Sequence, residues 1–392
     1  MIFSKLIIND KNWKHLCNAF NNERLPHALL FHGEEGMGKE AHALELAALL
    51  NCKNLENGGS CGICSSCNKI RAFKHENIKL IMPLPRGNIS SSKDSSLKAF
   101  KNEKTFQDYL ELLNKKSNDP YFKMRISSAN KILIISIRDI KKEIIKSTVN
   151  DSWKIILIFQ AEKLCVPNPA AGHAILKILE EPPNKTIFIL VSSNVNLILD
   201  TIKSRCQCMY FPPISDKLIK QKLIDEGHDE EQSTIISRLC HGNISLSKEL
   251  SGDYMELMKK MYVLLNSFFT RDFLIWEKAI DIMVRLKRKD MYLLDQLFNI
   301  LILFFRDLYY YAKTNNENNI IHLNLIEKIK SLCEKKPEAN WNFCIEHIEN
   351  TRDYIIRNGN VSLMAINMII DIQKSLNGKN KEKFKLSDWI SI

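Results

Sequence analysis

The stretch GEEGMGKE, residues 33–40, decides the fold class of this chain. It follows the apolar run HALLFH (residues 27–32), which is typical of a buried strand, and leads into an Ala- and Leu-rich segment (residues 39–50) that favours a helix. A glycine-rich turn with a lysine between a strand and a helix predicts a phosphate-binding loop, because the glycines let backbone N–H groups converge on phosphate and the lysine reaches its oxygens. The candidate nucleotide-binding residues are Gly33, Gly36, Gly38 and Lys39.

One position of this loop departs from the pattern of a working nucleotide site. Glu40 stands where a Ser or Thr hydroxyl binds Mg²⁺. A carboxylate that faces a triphosphate repels it, and one that faces elsewhere leaves the metal one ligand short. We therefore expect binding of ATP and Mg²⁺ to be weak or absent, and we expect no hydrolysis at this loop.

A second departure lies at the end of the apolar run WKIILIFQ, residues 153–160, which is typical of a central parallel strand covered on both faces. P-loop ATPases end this strand with two carboxylates, one for Mg²⁺ and one for the attacking water. Phe159 and Gln160 take their places here, and neither can bind a metal or act as a base. Two separate elements have thus lost their magnesium-site residues.

Four of the 11 cysteines are closely spaced, in a C-x8-C-x2-C-x2-C pattern. Such turns place pairs of thiolates on one side of a knuckle, as a tetrahedral Zn²⁺ ion requires. Four thiolates leave no position for water or substrate, so the predicted zinc is structural. The candidate metal ligands are Cys52, Cys61, Cys64 and Cys67.

Length and composition limit the remaining possibilities. A chain of 392 residues that is 45% hydrophobic can form two or three domains with their own cores. It has no apolar run near the roughly 20 residues of a membrane span and no signal-peptide pattern at its start, so we expect a cytoplasmic protein with no membrane partner and no disulfide framework. The formal charge of +11 indicates either a nucleic-acid partner or an AT-rich codon bias, and the sequence leaves both open.

Five pieces of sequence together resemble one family. They are LPHALLFHGEEGMGKE (25–40), the four-cysteine knuckle, KIILIFQAEKL (154–164), AILKILEEPP (174–183) and IKSRC (202–206). Residues 25–211 resemble the ATPase-fold domain of bacterial DNA polymerase III clamp-loader subunits, which belong to the AAA+ class. The resemblance implies an α/β P-loop (AAA+, RecA-like) domain with an inserted zinc knuckle, followed by a small helical lid and an all-α C-terminal collar domain.

Within that family, the active gamma/tau subunits retain the loop hydroxyl and the Asp-Glu pair, whereas delta-prime subunits share the fold and typically lack a complete ATP site. This chain departs on the delta-prime side. Active members also present a lid arginine to bound ATP, in a stretch resembling Gly-Ser-Leu-Arg. The corresponding stretch here is residues 241–245, and Ser245 cannot stabilise phosphate charge as arginine does.

The resemblance also implies a role for Arg205. In clamp loaders the arginine of the Ser-Arg-Cys triplet projects into the ATP site of a neighbouring subunit, where such a finger stabilises transition-state charge. Arg205 is therefore the candidate catalytic residue in trans, with Ser204 and Cys206 in positioning roles. Nothing in the sequence supplies the base that a nucleophilic Cys206 requires.

Composition and the resemblance together divide the chain into three predicted domains. Pro212-Pro213 marks a boundary, and a polar insertion near residues 84–130, with a predicted helix near residues 106–113, interrupts the first domain. Further strands of this domain are predicted at residues 79–84, 186–191 and 207–211. Apolar positions at helical spacing beyond residue 251 predict helices, among them residues 254–268, 293–311 and 320–333, and indicate either a bundle core or a ring interface. The predicted domains are 1–211 (AAA+ domain with the zinc module at 52–67), 212–250 (lid) and 251–392 (collar).

The sequence thus favours an ATPase-incompetent, delta-prime-like subunit that helps to load the sliding clamp onto primed DNA during replication. We expect no activity from the isolated chain, which would act within a DNA polymerase holoenzyme and assist ATP hydrolysis in trans. Its implied partners are the gamma/tau and delta subunits, and through the complex the clamp and primed DNA. Two alternatives stay open, namely an active gamma/tau-like ATPase and a zinc-containing DNA-binding protein.

Overall fold

The computed structural model describes residues 1–4, 6–55, 58–89, 94–100, 102–126, 129–144, 152–289, 291–357 and 359–378. The chain forms two compact units. The first contains residues 1–218 together with the short segment Gly242–Leu246. The second contains Ile219–His241 and the chain from Ser247 onward.

A parallel sheet of five strands forms the centre of the first unit, in the order β2-β3-β4-β1-β5. Each sequence-predicted strand is present, although β2 ends three residues before the predicted Leu84. The strands are β1 (Ala28–His32), β2 (Ile78–Ile81), β3 (Lys154–Phe159), β4 (Thr186–Ser192) and β5 (Gln207–Tyr210).

Both faces of this sheet are covered, which explains why its inner strands are apolar without alternation. Successive side chains point to opposite faces, so Ile155, Leu157 and Phe159 of β3 enter one core, while Ile156 and Ile158 enter the other. The predicted central, doubly covered strand is thus confirmed.

Helices supply these two layers. The first core takes side chains from α1 (Asp10–Asn21), α2 (Lys39–Asn51) and α3 (Ser65–Arg71), and α4 (Glu103–Asn118) packs at its margin. The second core takes them from α5 (Ile134–Ile144), α6 (Ala170–Glu180) and α7 (Asp200–Lys203). Helix α4 confirms the helix predicted within the polar insertion. Residues 90–93, 101 and 127–128 of that insertion lie outside the described residues.

The remaining helices follow β5. They are α8 (Asp216–Asp225), α9 (Glu230–Leu239), α10 (Ile244–Phe269), α11 (Phe273–Lys289), α12 (Met291–Thr314), α13 (Ile326–Lys335), α14 (Trp341–Ile356) and α15 (Val361–Ser375). Helix α10 continues through residue 250, so the division between a lid and a collar at that point stays a prediction. None of the described helices combines the length and the apolarity that a membrane span requires.

Helix α12 settles one alternative that the sequence left open. Its repeating apolar positions between Leu294 and Phe305 are almost fully buried within this chain, so they form a bundle core. The predicted helix over 320–333 was wrong at its start, because α13 begins at Ile326. The carboxylate of Asp307 accepts hydrogen bonds from the N–H groups of Ile321 and His322, and residues Leu323–Leu325 form a short 3-10 helix before α13.

The junction between β1 and the glycine-rich loop requires a glycine for steric reasons. Gly33 has φ +144°, and a Cβ there would lie 2.3 Å from the carbonyl oxygen of Phe211. Phe211 is held at this place because its N–H donates to the carbonyl of His32 over 2.8 Å. The chain after β5 therefore crosses directly against the end of β1.

We predict that Gly33→Ala lowers the free energy of unfolding by about 2–4 kcal/mol, since it adds both backbone strain and a contact with Phe211. Chemical denaturation of the full chain, followed by tryptophan fluorescence, measures this change. Gly58→Ala is the control, because Gly58 also has a positive φ of +75° but no atom lies within 4 Å of the place that its Cβ would take. Equal losses in the two variants would contradict the steric argument.

Candidate functional site

The glycine-rich loop lies at the carboxyl edge of the sheet, between β1 and α2, as the sequence predicts. Gly36 and Gly38 both have φ +77°. A cavity of about 170 Å³ opens beside the loop, and its walls include charged side chains from several elements. These charged residues are Glu35, Lys39, Glu40, Lys116, Lys123, Glu162 and Lys163.

Lys39, the predicted phosphate ligand, is folded back onto the loop itself. Its ammonium donates to the carbonyl oxygen of Glu34, and the residue is 5% exposed. Burial lowers the pKa of Lys39 to about 8, although Glu40, Glu35 and Glu162 act in the opposite direction. The loop thus supplies a hydrogen-bond acceptor for its own lysine.

Glu40 makes an ion pair with Lys116, a residue of α4 in the polar insertion. The Oε2 atom of Glu40 and the Nζ atom of Lys116 are 2.5 Å apart. The ammonium of Lys116 also donates to the carbonyl of Phe122 over 2.7 Å, and its side chain is almost fully buried. The carboxylate at the hydroxyl position is therefore neutralised from within the chain.

Phe159 and Gln160 follow the same edge of the sheet at the end of β3. Phe159 is buried, and its ring centroid lies 5.8 Å from the Lys116 ammonium. Gln160 donates from Nε2 to the carbonyl of Met124 over 3.1 Å. Both side chains therefore have structural contacts at the positions where the sequence predicts the carboxylates of an active ATPase to have been replaced.

Ser245, the residue at the predicted lid-arginine position, also reaches this region. Its hydroxyl donates to the carbonyl of Tyr121 over 2.7 Å. The neighbouring Ile244 N–H donates to the carbonyl of Gly36 over 3.1 Å, so residues 242–246 pack directly on the loop. A Cβ at Gly36 would overlap the side chain of Asn243.

Arg205 lies at the opposite edge of the sheet. It precedes β5, and β5 is parallel to β1, with Leu29 opposite Gln207 and His32 opposite Tyr210. The paired residues from Leu29 to His32 span three residue steps along the strand, which separate the two edges of the sheet by about 10 Å. Arg205 therefore lies away from the loop of its own chain.

The guanidinium of Arg205 is partly exposed and is oriented by two elements. Nε donates to Glu180 at the end of α6 over 2.8 Å, a second nitrogen also contacts Glu180, and Nη1 donates to the carbonyl of Thr201 over 2.9 Å. The pair is solvent-accessible, so it contributes only about 0–1 kcal/mol and can be exchanged for a stronger anion. Nη1 also donates to the Ser204 hydroxyl over 3.4 Å, so four of the five N–H groups of Arg205 have partners within its own chain.

Ser204 and Cys206 flank this arginine. The Ser204 hydroxyl donates to the carbonyl of Thr201 over 3.2 Å. Cys206 packs against the second core, and burial, together with the nearby Cys208, raises its pKa to about 12. A thiol of this kind remains protonated at neutral pH, so its surroundings suit a positioning role.

The four predicted metal ligands lie together, with all Sγ atoms within 4.8 Å of one another. Tetrahedral Zn²⁺ with Zn–S distances of about 2.3 Å requires sulfurs about 3.8 Å apart. The Sγ atom of Cys67 is 3.6 Å from that of Cys52 and 4.0 Å from that of Cys61. The donor set therefore fits the ion.

Backbone N–H groups point at the sulfur atoms of this cluster, in the arrangement that stabilises thiolates. The N–H groups of Cys61 and Cys64 point to the sulfurs of Cys52 and Cys61, over 3.2 and 3.4 Å. Burial acts to raise the pKa of Cys64, but hydrogen bonds from the backbone of Cys67 and Lys53 and from neighbouring thiols lower it to about 6. Such N–H donors are the outer contacts that orient metal ligands.

Sequence reasoning missed two residues of the loop region. Lys116 was missed because its neighbour Lys115 is identical in type, and only the register of α4 distinguishes the buried lysine from the exposed one. Glu162 was missed because it lies two residues beyond the expected carboxylates. It lines the cavity, and its Oε2 accepts a hydrogen bond from Ser192 over 2.7 Å.

Comparison with known proteins supports the family suggested by the motifs. The family model described as "DNA polymerase III, delta subunit" matches residues 8–215. The DNA polymerase III subunit delta' of Bacillus subtilis is 25% identical over 368 residues, which cover 92% of this chain and 95% of that protein. The DNA polymerase III subunit gamma/tau of Mycoplasma pneumoniae is 26% identical over 228 residues, covering 58% of this chain and 26% of that protein.

Among solved structures, a DNA polymerase III gamma subunit-related protein of Thermotoga maritima covers 93% of this chain and 99% of its own, with a TM-score of 0.37 and 16% identity. That likeness is too distant to bear on function. The family model, by contrast, spans more than half of the 392 residues. This chain therefore belongs to the DNA polymerase III delta-subunit family, with the delta-prime clamp-loader subunits.

Proposed function

We propose that this chain is an ATPase-incompetent, delta-prime-like subunit that helps a clamp loader to place the sliding clamp on primed DNA and donates Arg205 to a neighbouring ATPase subunit. Its partners in this role are the gamma/tau and delta subunits. The assembled complex, with this chain as one of its subunits, contacts the clamp and the DNA. One observation carries the proposal: the chain keeps an accessible arginine at one edge of its sheet and has replaced the metal ligands at the other.

The pocket supports the absence of hydrolysis. Glu40 is bound to Lys116, Lys39 is bound to the loop carbonyl of Glu34, and the end of β3 offers Phe159 and Gln160. A magnesium ion here would find neither the hydroxyl nor the strand-end carboxylate that bind it in P-loop ATPases. ATP and Mg²⁺ are therefore not cofactors that this chain turns over.

The position of Arg205 supports a role in trans. An arginine at the amino edge of β5 has no route to the loop at the carboxyl edge of β1, so any nucleotide that it contacts belongs to another chain. The exposed pair with Glu180 holds the guanidinium in one orientation before it meets a phosphate. A planar guanidinium is suited to such a contact because it binds phosphate oxygens through two parallel hydrogen bonds.

We also propose that Cys52, Cys61, Cys64 and Cys67 hold a structural Zn²⁺ ion. The sulfur spacing supports four-thiolate coordination, which closes the site to water and substrate. The knuckle joins the end of α2 to α3, and its Cys67 is fully buried in the first core. The ion would therefore stabilise the unit and take no part in hydrolysis.

We expect the purified chain to release phosphate from Mg·ATP no faster than its Lys39→Ala variant does. A phosphate-release assay on the isolated protein measures this, with an active gamma/tau subunit as the positive control. Turnover that is lost in Lys39→Ala would contradict the proposal. Glu162→Gln then tests whether the carboxylate beside the cavity serves as the base of an active, gamma-like enzyme.

In a complex reconstituted with gamma/tau and delta subunits, we expect Arg205→Ala to leave assembly intact and to slow the ATPase site that it serves by about 10³-fold or more. The ATP turnover of the whole complex then falls by the fraction that this one site contributes. Lys203→Ala is the matched control, because it removes a neighbouring positive charge without removing the guanidinium. An unchanged rate in a fully assembled Arg205→Ala complex would remove the finger role.

Metal analysis of protein purified without chelators should return about one Zn²⁺ per chain, as a closed four-thiolate site requires. Cys67→Ser should lose the metal and lower the unfolding temperature, whereas Cys208→Ser, which changes an exposed cysteine outside the cluster, should retain both. A folded, metal-free wild-type protein whose melting is insensitive to added Zn²⁺ would refute the site.

A further inference from the structure

The three elements that depart from the active pattern all contact one short segment of the polar insertion. Glu40 binds the ammonium of Lys116, and Phe159 lies beside the same ammonium. Gln160 donates to the carbonyl of Met124, and Ser245 donates to that of Tyr121. These acceptors and this cation lie within residues 116–125, which we call the covering segment.

We propose that the covering segment is an internal ligand of the degenerate loop: it occupies the mouth of the nucleotide pocket, with the ammonium of Lys116 in place of Mg²⁺. The residues that replace the metal and phosphate ligands are then the binding site of this segment. The inference concerns the same pocket as the proposed absence of ATP hydrolysis and rests on it, but it makes its own prediction about residues 116–125.

The surroundings of Lys116 are those of a bound cation. A lysine is almost never fully buried unless it is paired. Here the ammonium has a carboxylate oxygen at 2.5 Å, a carbonyl oxygen at 2.7 Å and an aromatic face at 5.8 Å. Its two side-chain neighbours are the residues at the hydroxyl position and at the strand end, between which an ATPase holds its metal.

Further contacts fix the rest of the covering segment. Glu35 of the loop is paired with Lys123 and with Arg125, and these charges lower the pKa of Glu35 even though its burial acts to raise it. The N–H group of Ile7 donates to the hydroxyl of Tyr121 over 2.7 Å. A Cβ at Gly38 would lie 3.3 Å from the Tyr121 ring. The segment is therefore held on the loop at both of its ends and in its middle.

The space that remains is small. The cavity between the loop and the covering segment measures about 170 Å³. Pockets that enclose small organic ligands usually measure about 300–1,000 Å³. Full enclosure of a nucleotide at this place would therefore require the covering segment to move.

Hydrogen exchange on the full-length chain tests this inference, using Lys116→Met and Lys115→Met. Methionine keeps the approximate length of the lysine stem and removes the charge, and Lys115 is the exposed neighbour on the same helix. In Lys116→Met we expect the amides of residues 119–126 to exchange faster by about tenfold or more, because Glu40 loses its partner. In Lys115→Met we expect exchange as in the wild type. Wild-type protection of these amides in Lys116→Met would overturn the inference.

A double variant covers the case in which Lys116→Met does not fold. Glu40→Gln with Lys116→Met removes both charges and leaves no unpaired ion, so this protein should fold and still lose protection at residues 119–126. Protection equal to that of the wild type would again overturn the inference.

Titration of the wild-type chain with a fluorescent ATP analogue and Mg²⁺ provides a second, independent test. We expect either no binding or binding accompanied by faster exchange in the covering segment. Tight binding with the segment still protected would show that it does not occupy the nucleotide pocket. Phosphate turnover by the isolated chain would refute the proposed function, whereas undiminished protection in Lys116→Met would refute this inference alone.

Discussion

The parallel register of β1 between β4 and β5 is the constraint on which the rest of the site depends. Because all strands run in one direction, the loop after β1 and the end of β3 meet at one edge, while the residues before β5 lie at the other. Main-chain hydrogen bonds fix this register, and a shift of one residue would move every side chain of a strand to the opposite face of the sheet, from one core into the other. The separation of Lys39 from Arg205 is therefore a property of the backbone, and substitutions in either site leave it in place.

The carboxyl edge of the sheet also brings opposite charges of the loop and of the polar insertion together. The carboxylate of Glu40 is only partly buried, with a side chain that is 21% exposed, whereas the ammonium with which it pairs is almost fully buried. A buried charge without a partner costs several kcal/mol, so this cation depends on the carboxylate at position 40. Lys116 supplies that cation from a helix of the polar insertion. The insertion and the altered loop are thus two parts of one arrangement, although more than 70 residues separate them in the sequence.

Much of the first unit's fold and of the candidate sites could be predicted from the sequence, because the sequence patterns that specify them are local. Apolar runs of strand length, the glycine-lysine loop and the cysteine spacing each specify their geometry within a few residues, and the structure contains all of them. The contact between Glu40 and Lys116 could not be predicted, because nothing local distinguishes Lys116 from Lys115. The start of α13 was likewise predicted too early, at residue 320, since the carboxylate that holds residues 321–322 outside the helix belongs to Asp307 on another helix.

The glycines of the loop have a steric role that does not depend on phosphate binding. Phosphate binding is one reason for a glycine to be kept, but at Gly33 and Gly36 the backbone has positive φ and a second segment lies where a Cβ would be. At Gly33 that segment is the chain leaving β5, and at Gly36 it is Asn243. Substitution at either position would therefore disturb packing whether or not the loop binds a nucleotide. The fold itself depends on the shape of this loop. We therefore expect the glycines to be kept even where the loop does not bind phosphate.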